Sequence, residues 1–502
     1  MPEDTKKSHE SFFCREELKK DLKRKSVKGG LIKITANGTS AVLSLVSTIV
    51  LVRLLMPEEF GLIAMVVSIT DFGRYFMELG LGVATVQREK ITDDEVSTLF
   101  WINVSIGIIL MLIVASLSST LTWFYGESRL SHICMLLSTS FLFRGLTVQH
   151  RSLLERQMRF GSLAIITIAS YLLGICVAIV MALYGYGYWA LVWRELVISA
   201  TYAAGVWLLC RWIPGFPRIN SDIKSSLRFG ADLSGNSIVH YITTNLDLVL
   251  IGRFFGAASL GFYSKALQLA MMPLEQISST IFTVGLSPLS SLQNDAERYR
   301  LFYKRMLSVL SFTYMPVMLF LAIQSEGVIR LLLGEGWISA APFLRLLAIA
   351  GFIKPILRTC QLIMITCGMS RRYLYWGIMS GLCVIMAYTI GILWGAIGVA
   401  FGYAIASYAT LVLMLWFGLR DTPVSVILIL KTISLPVISS IGAGVILVAL
   451  LPSIPGTSTL VSLVLSFLVF EASYLGIWLS VPTGRQDIAR YWSYSTELFR
   501  RD

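Results

Sequence analysis

Arg53-Leu-Leu-Met-Pro-Glu-Glu-Phe-Gly61 and Arg253-Phe-Phe-Gly-Ala-Ala-Ser-Leu-Gly261 share one pattern: an arginine closes an apolar run, and a glycine eight residues later opens the next. The offset is about 200 residues. With about ten residues added in a loop, the same register sets Phe143-Arg144-Gly145-Leu146 beside Ile353-Lys354-Pro355-Ile356. The repeat covers six apolar runs. Six is even, so the second copy enters a bilayer in the same direction as the first, which implies two lobes related by an axis along the membrane normal.

The runs themselves are membrane spans. Apolar residues make up 55% of the 502 and charged residues 14%, an imbalance that a water-soluble fold of this size could not cover with polar surface. At 1.5 Å rise, roughly twenty apolar residues cross about 30 Å of hydrocarbon. Read against caps and breakers, the chain holds about fourteen such spans. They start near Leu31, Phe60, Val96, Ser131, Ser162, Tyr188, Phe229, Leu260, Lys304, Ala340, Arg372, Trp394, Ile427 and Leu460. The expected fold is therefore an all-α polytopic membrane protein: two pseudo-symmetric six-helix lobes around a central cavity, plus two C-terminal helices. The expected segments are a basic cytoplasmic tail (1–30), a first lobe (31–212), a cytoplasmic linker (213–228), a second lobe (229–420), two further spans (421–482) and a cytoplasmic tail (483–502). The prolines and charges of Arg211-Trp-Ile-Pro-Gly-Phe-Pro-Arg-Ile-Asn-Ser-Asp-Ile-Lys224 mark the linker.

The net charge of +12 reports topology. Threaded from a cytoplasmic N-terminus, the spans leave only Arg53, Arg129, Arg253 and Arg330 outside, whereas most of the 42 Lys and Arg fall in inner loops. This positive-inside pattern implies a multi-pass protein of the cell (inner) membrane with both termini cytoplasmic, and it argues against a nucleic-acid partner. The first thirty residues lack the apolar core and cleavage site of a secretory signal. The seven cysteines show no CxxC and the four histidines no ligand spacing, so neither a disulfide nor a metal site is expected.

Ionisable residues inside spans are the functional candidates, because a charge at mid-bilayer costs several kcal/mol unless it is paired or lines a pathway. Asp71, Arg74 and Glu78 follow i, i+3, i+7 spacing on one helix face. They read either as a self-neutralising set or as a site where Arg74 offers donors to a phosphate. Asn245 and Asp247 in span seven answer Lys265 in span eight, as an Asp–Lys pair or as a carboxylate coupling transport to Na+ or H+. Arg144 and Lys354 occupy matching places in the two lobes, with Arg358 one turn after Lys354. They read as snorkelling cations or as a cationic rim that gathers an anionic head group.

The stretches Arg53–Gly61 and Asn245-Leu-Asp-Leu-Val-Leu-Ile-Gly-Arg-Phe-Phe-Gly-Ala-Ala-Ser-Leu-Gly-Phe-Tyr263 resemble the polysaccharide-transporter branch of the multidrug/oligosaccharidyl-lipid/polysaccharide flippase superfamily. Within it, the chain is similar to colanic-acid-type lipopolysaccharide exporters, O-antigen-type flippases and teichuronic-acid transporters. The resemblance implies a V-shaped pair of lobes whose cationic cavity turns over a lipid-linked oligosaccharide on undecaprenyl diphosphate, from the inner to the outer leaflet. It implies no cofactor, and as partners the lipid-linked substrate, membrane lipids, and the polymerase and glycosyltransferases of one pathway. Cavity charges of the relatives lie on spans one, two, seven and eight, and Arg74, Glu78, Asp247 and Lys265 match that pattern by position. Span one departs from it, with only Lys33 at its inner end. The competing reading is a small-molecule exporter of the multidrug branch, which a net-negative cavity would favour. An enzyme would need a carboxylate pair or a nucleophile and base in a large outer loop, and the outer loops are short.

Overall fold

The computed structural model describes residues 22–77, 81–88, 91–217, 222–453 and 458–487, and all of its regular structure is helical. Among the described residues, nine segments are long and apolar enough to cross a membrane, ten if one bent pair counts as a single span. One of the nine, Ser370–Gly418, contains two helices joined by a turn at Gly395, so the segment count is lower than the helix count. The segment α2 (Pro57–Met77), which carries Asp71 and Arg74, is not among the nine.

The chain forms two compact units, Met1–Gly261 and Phe262–Asp502. The first contains α1 (Leu22–Leu54), α2, the short α3 (Leu81–Gln87), α4 (Asp93–Ser116), α5 (Ser118–Tyr125), α6 (Leu130–Ser138), α7 (Ser140–Arg156), α8 (Phe160–Leu183), α9 (Trp189–Cys210) and the first arm of α10 (Asp222–Ser291). The second contains the other arm of α10, then α11 (Ala296–Ile323), α12 (Ser325–Leu332), α13 (Ala341–Phe352), α14 (Lys354–Thr366), α15 (Ser370–Gly391), α16 (Gly395–Leu413), α17 (Val426–Leu450) and α18 (Thr459–Ser480). The order repeats. A long helix, a short one, a broken span and an antiparallel pair run as α4 to α9 in one unit and as α11 to α16 in the other.

Local chemistry sets the helix ends. Thr92 and Glu95 form a reciprocal capping box at α4, and Ser425 and Ser458 cap α17 and α18 through their hydroxyls. The break in α10 falls at Gly256, whose φ of 79° lies in the left-handed region that glycine enters without strain.

Inside the first unit the two repeated motifs pack on each other. A Cβ added to Gly61 would lie 1.7 Å from the carbonyl oxygen of Ala257, and one added to Gly261 would lie 1.9 Å from that of Pro57. Backbone therefore meets backbone where α2 crosses α10. From this crossing α2 runs along the first arm of α10 through Met65 against Gly252, then through Tyr241, whose hydroxyl donates to the Ser68 carbonyl at 2.5 Å.

The segment after α9 is anchored as well. Trp212 is buried, its indole donates to Asp93 at 2.7 Å, and the His150 Nε2–H donates to the Trp212 carbonyl at 3.1 Å. The buried Arg156 closes the end of α3, donating to the carbonyls of Thr85 at 3.0 Å and Arg88 at 2.5 Å.

Candidate functional site

The broken spans, α6–α7 and α13–α14, carry the matched cations. In the second unit α13 and α14 are bent by 42° at Ile353. Pro355 stands at the start of α14, where it has no N–H to donate and its ring crowds the preceding turn. A backbone group freed in a bilayer needs a protein partner, and two tyrosines of α16 tend this break. The Tyr408 hydroxyl donates to the Ile349 carbonyl at 3.1 Å, and the Lys354 ammonium donates to the Tyr403 hydroxyl at 2.8 Å while lying 4.8 Å from that ring's centre.

Burial on α14 is one-sided. Nine of its thirteen residues are buried, leaving Lys354, Arg358, Gln361 and Ile365 along one stripe at helical spacing. Lys354 lies twelve residues, about 18 Å, from the end of α14, farther than even a lysine side chain reaches toward the surface at that end. A helix packed in protein on every other side, with two cations and an amide on its open face, presents a polar surface at mid-span.

The first unit repeats this face in register. Arg144, Val148, Arg151 and Glu155 stand on the side of α7 left open, at the same spacing, while Phe141, Gly145, Gln149 and Leu153 are buried. Here one of the two cations has a carboxylate partner. Arg151 donates to Glu155 at 3.1 Å, and Arg144 is engaged in an interaction of its own.

The other sequence-derived candidates are dispersed. Asp71 is half-buried on α2, one turn past Ser68; the Arg74 side chain and the whole of Glu78 lie outside the described residues. Asn245 donates to the Tyr241 carbonyl at 3.1 Å, placing it one turn from the Tyr241–Ser68 bond on the side away from Asp71. Asp247 is 2% exposed and accepts from the Leu248 backbone N–H at 2.8 Å. Lys265 donates to Gln268 at 3.0 Å. No group of three metal-ligating side chains occurs among the described residues.

Tyr241, Tyr403 and Tyr408 escaped the sequence reading. Charge flagged Lys354, but no charge pattern selects a tyrosine about fifty residues away as its partner. Pro355, adjacent to a cation inside an apolar run, was the available signal for the break.

Outside the spans, an ion pair joins the loop before α6 to α2. Arg129 donates to Glu127 at 2.8 Å and also to Glu58, and the bond from Arg129 holds the Glu127 carboxyl below its ordinary range.

A family profile described as "Polysaccharide biosynthesis protein" matches residues 50–342. The chain is 27% identical, over 80% of its length and 83% of the relative's, to an uncharacterized membrane protein in the cps region of Klebsiella pneumoniae. It is 26% identical to the teichuronic acid biosynthesis protein TuaB of Bacillus subtilis, over 69% of this chain and 72% of that one. It is 27% identical to the lipopolysaccharide biosynthesis protein WzxC of Escherichia coli, over 67% and 68%. Among solved structures, the lipid II flippase MurJ in an inward closed conformation aligns with a TM-score of 0.73 at 15% identity, covering 89% of this chain and 98% of that one. An inward-facing multidrug transporter of the MATE family aligns with a TM-score of 0.60 at 14% identity, over 76% and 93%. At these identities the structural likeness establishes the fold, which is that of the MurJ and MATE transporters.

Proposed function

Because the chain belongs to the polysaccharide biosynthesis protein family, a family of transporters and not of enzymes, we propose that it is a flippase that carries a lipid-linked oligosaccharide across the cell membrane. The movement runs from the cytoplasmic to the outer leaflet by alternating access, and it serves assembly of a cell-surface polysaccharide. The carrier is a polyprenyl diphosphate. The full count is fourteen spans, arranged as two six-helix lobes and a C-terminal pair, with both termini cytoplasmic; the basic loops support that orientation.

One observation carries the reading: Lys354 and Arg358 at mid-span on the single open face of α14, repeated in register as Arg144 on α7. Cations placed this far along the open face of an apolar segment suit an anionic cargo and repel a cationic one. Asp71, Arg74, Glu78 and Lys265 complete the proposed cavity lining. Asp247, almost fully buried, is the proposed ion-coupling group with Asn245, using Na+ or H+.

The test is a proteoliposome assay of outer-leaflet appearance of a fluorescent polyprenyl-diphosphate oligosaccharide, comparing wild type with Arg74→Ala. Turnover by wild type that Arg74→Ala abolishes supports both the cargo and a cationic contact on α2. No turnover above empty liposomes by folded protein, with export of small organic cations in its place, sinks the reading in favour of a multidrug-type exporter.

A further inference from the structure

The two open faces share a register but not a charge state, and this difference identifies which of them can hold an anion. On α7, Arg151 spends its charge on Glu155 at 3.1 Å, and Arg144 is already engaged. On α14, Lys354 is held, among the described residues, only by the hydroxyl and ring of Tyr403. Arg358 is exposed, and no acceptor contacts it among the described residues. Side chains four residues apart on a helix lie about 5–6 Å from each other, a spacing at which an ammonium and a guanidinium engage two adjacent phosphates of one ligand. The guanidinium fork takes one phosphate through paired N–H donors, and the ammonium takes the other as a point charge.

We propose that α14 is the headgroup site: Lys354 and Arg358 bind the diphosphate of a lipid-linked substrate, with Gln361 one turn beyond Arg358 donating to the adjoining phosphate or first sugar. This assignment rests on the flippase reading and adds the place where the charge is held. Lys354 exchanges its phenol for a phosphate on loading, because an oxyanion is the stronger acceptor for an ammonium. Tyr403 is thus a positioning residue that keeps the cation extended toward the open face when no substrate is bound.

Full-length protein in nanodiscs of neutral lipid, titrated with a fluorescent polyprenyl diphosphate, tests the assignment. Lys354→Gln and Arg358→Gln should each weaken binding by about tenfold, Arg358→Lys should retain most of it, and the exposed Arg345→Gln should leave it unchanged. Thermal melting of each variant separates loss of binding from loss of fold. Inorganic diphosphate should compete and phosphatidylglycerol should not; equal competition by phosphatidylglycerol would show a general anionic-lipid site and overturn the diphosphate assignment. Loss at Arg144→Gln or Arg151→Gln, with Arg358→Gln binding normally, would place the headgroup on α7 and overturn it too. Absence of binding to folded wild type would remove the cargo reading itself, an outcome distinct from wild-type binding that the α14 variants leave intact.

Discussion

The span α6–α7 of the first unit and the span α13–α14 of the second are copies of one element that differ at a single decisive place. Where Phe143-Arg144-Gly145 stands in one, Ile353-Lys354-Pro355 stands in the other. Gly145 lets α7 press against α4 so closely that an added Cβ would lie 2.8 Å from the Asn103 carbonyl oxygen, and Gly107 of α4 makes the reciprocal approach to the Phe141 carbonyl at 2.7 Å. Its helices part at Thr139, yet Leu130–Arg156 still counts as one span without a sharp bend. Proline in the same register forbids both the hydrogen bond and the straight path, so the second copy bends by 42° and recruits Tyr403 and Tyr408. The two spans share a skeleton and an open face, while glycine sets one as a packed strut and proline sets the other as a bent arm whose cations have no carboxylate partner among the described residues.

The contrast predicts its largest effect at the strut. Gly145→Val should cost about 3 kcal/mol or more, because the clash is with backbone that cannot move aside. A markedly lowered melting temperature with loss of the monodisperse peak is expected; normal melting would mean that α4 and α7 do not meet as described. Pro355→Ala attacks the other side of the comparison. Straightening the arm should leave melting within about 1 kcal/mol of wild type yet cut lipid turnover about tenfold, since a displaced headgroup contact loses much of its rate. Spin labels at Arg345 and Ile365 should then move about 2 Å farther apart by electron–electron resonance, and an unchanged distance would assign the bend to something other than the proline.

Smaller effects sharpen the charge difference. Glu155→Gln removes the carboxylate that pairs with Arg151 and should raise diphosphate binding at α7 by about twofold, the scale of a surface ion pair. No gain would show that Arg151 is not neutralised by this partner. The smallest effect belongs to the loop that introduces the strut. The Arg129 bond lowers the Glu127 pKa, so its stabilisation is fully present above the unfolded value near 4.3 and is lost as pH falls through the lowered folded value. Arg129→Gln should therefore reduce stability by ~0.2–1 kcal/mol at neutral pH, and melting of variant and wild type should converge in acid. Curves that stay parallel from pH 7 to 3 would exclude the carboxylate as the source.

Much of this molecule is written in the chain itself. Apolar run length determined that it is an all-helical membrane protein, since hydrocarbon leaves no other way to satisfy the backbone of each run. The match of Arg144 with Lys354 pointed to the repeated helix order, in which both residues stand on the open side of their helices. The sequence also marked Lys354 and Arg358 as out of place in lipid. It did not reveal that Gly61 and Gly261 lie against each other's turns, or that Tyr403 holds Lys354. The physical reason is range: periodicity and transfer cost act within one helix and are legible residue by residue. The partner of a buried or half-buried charge depends on which helices pack together, and that was decided only when the tertiary structure brought positions fifty to two hundred residues apart within about 3 Å.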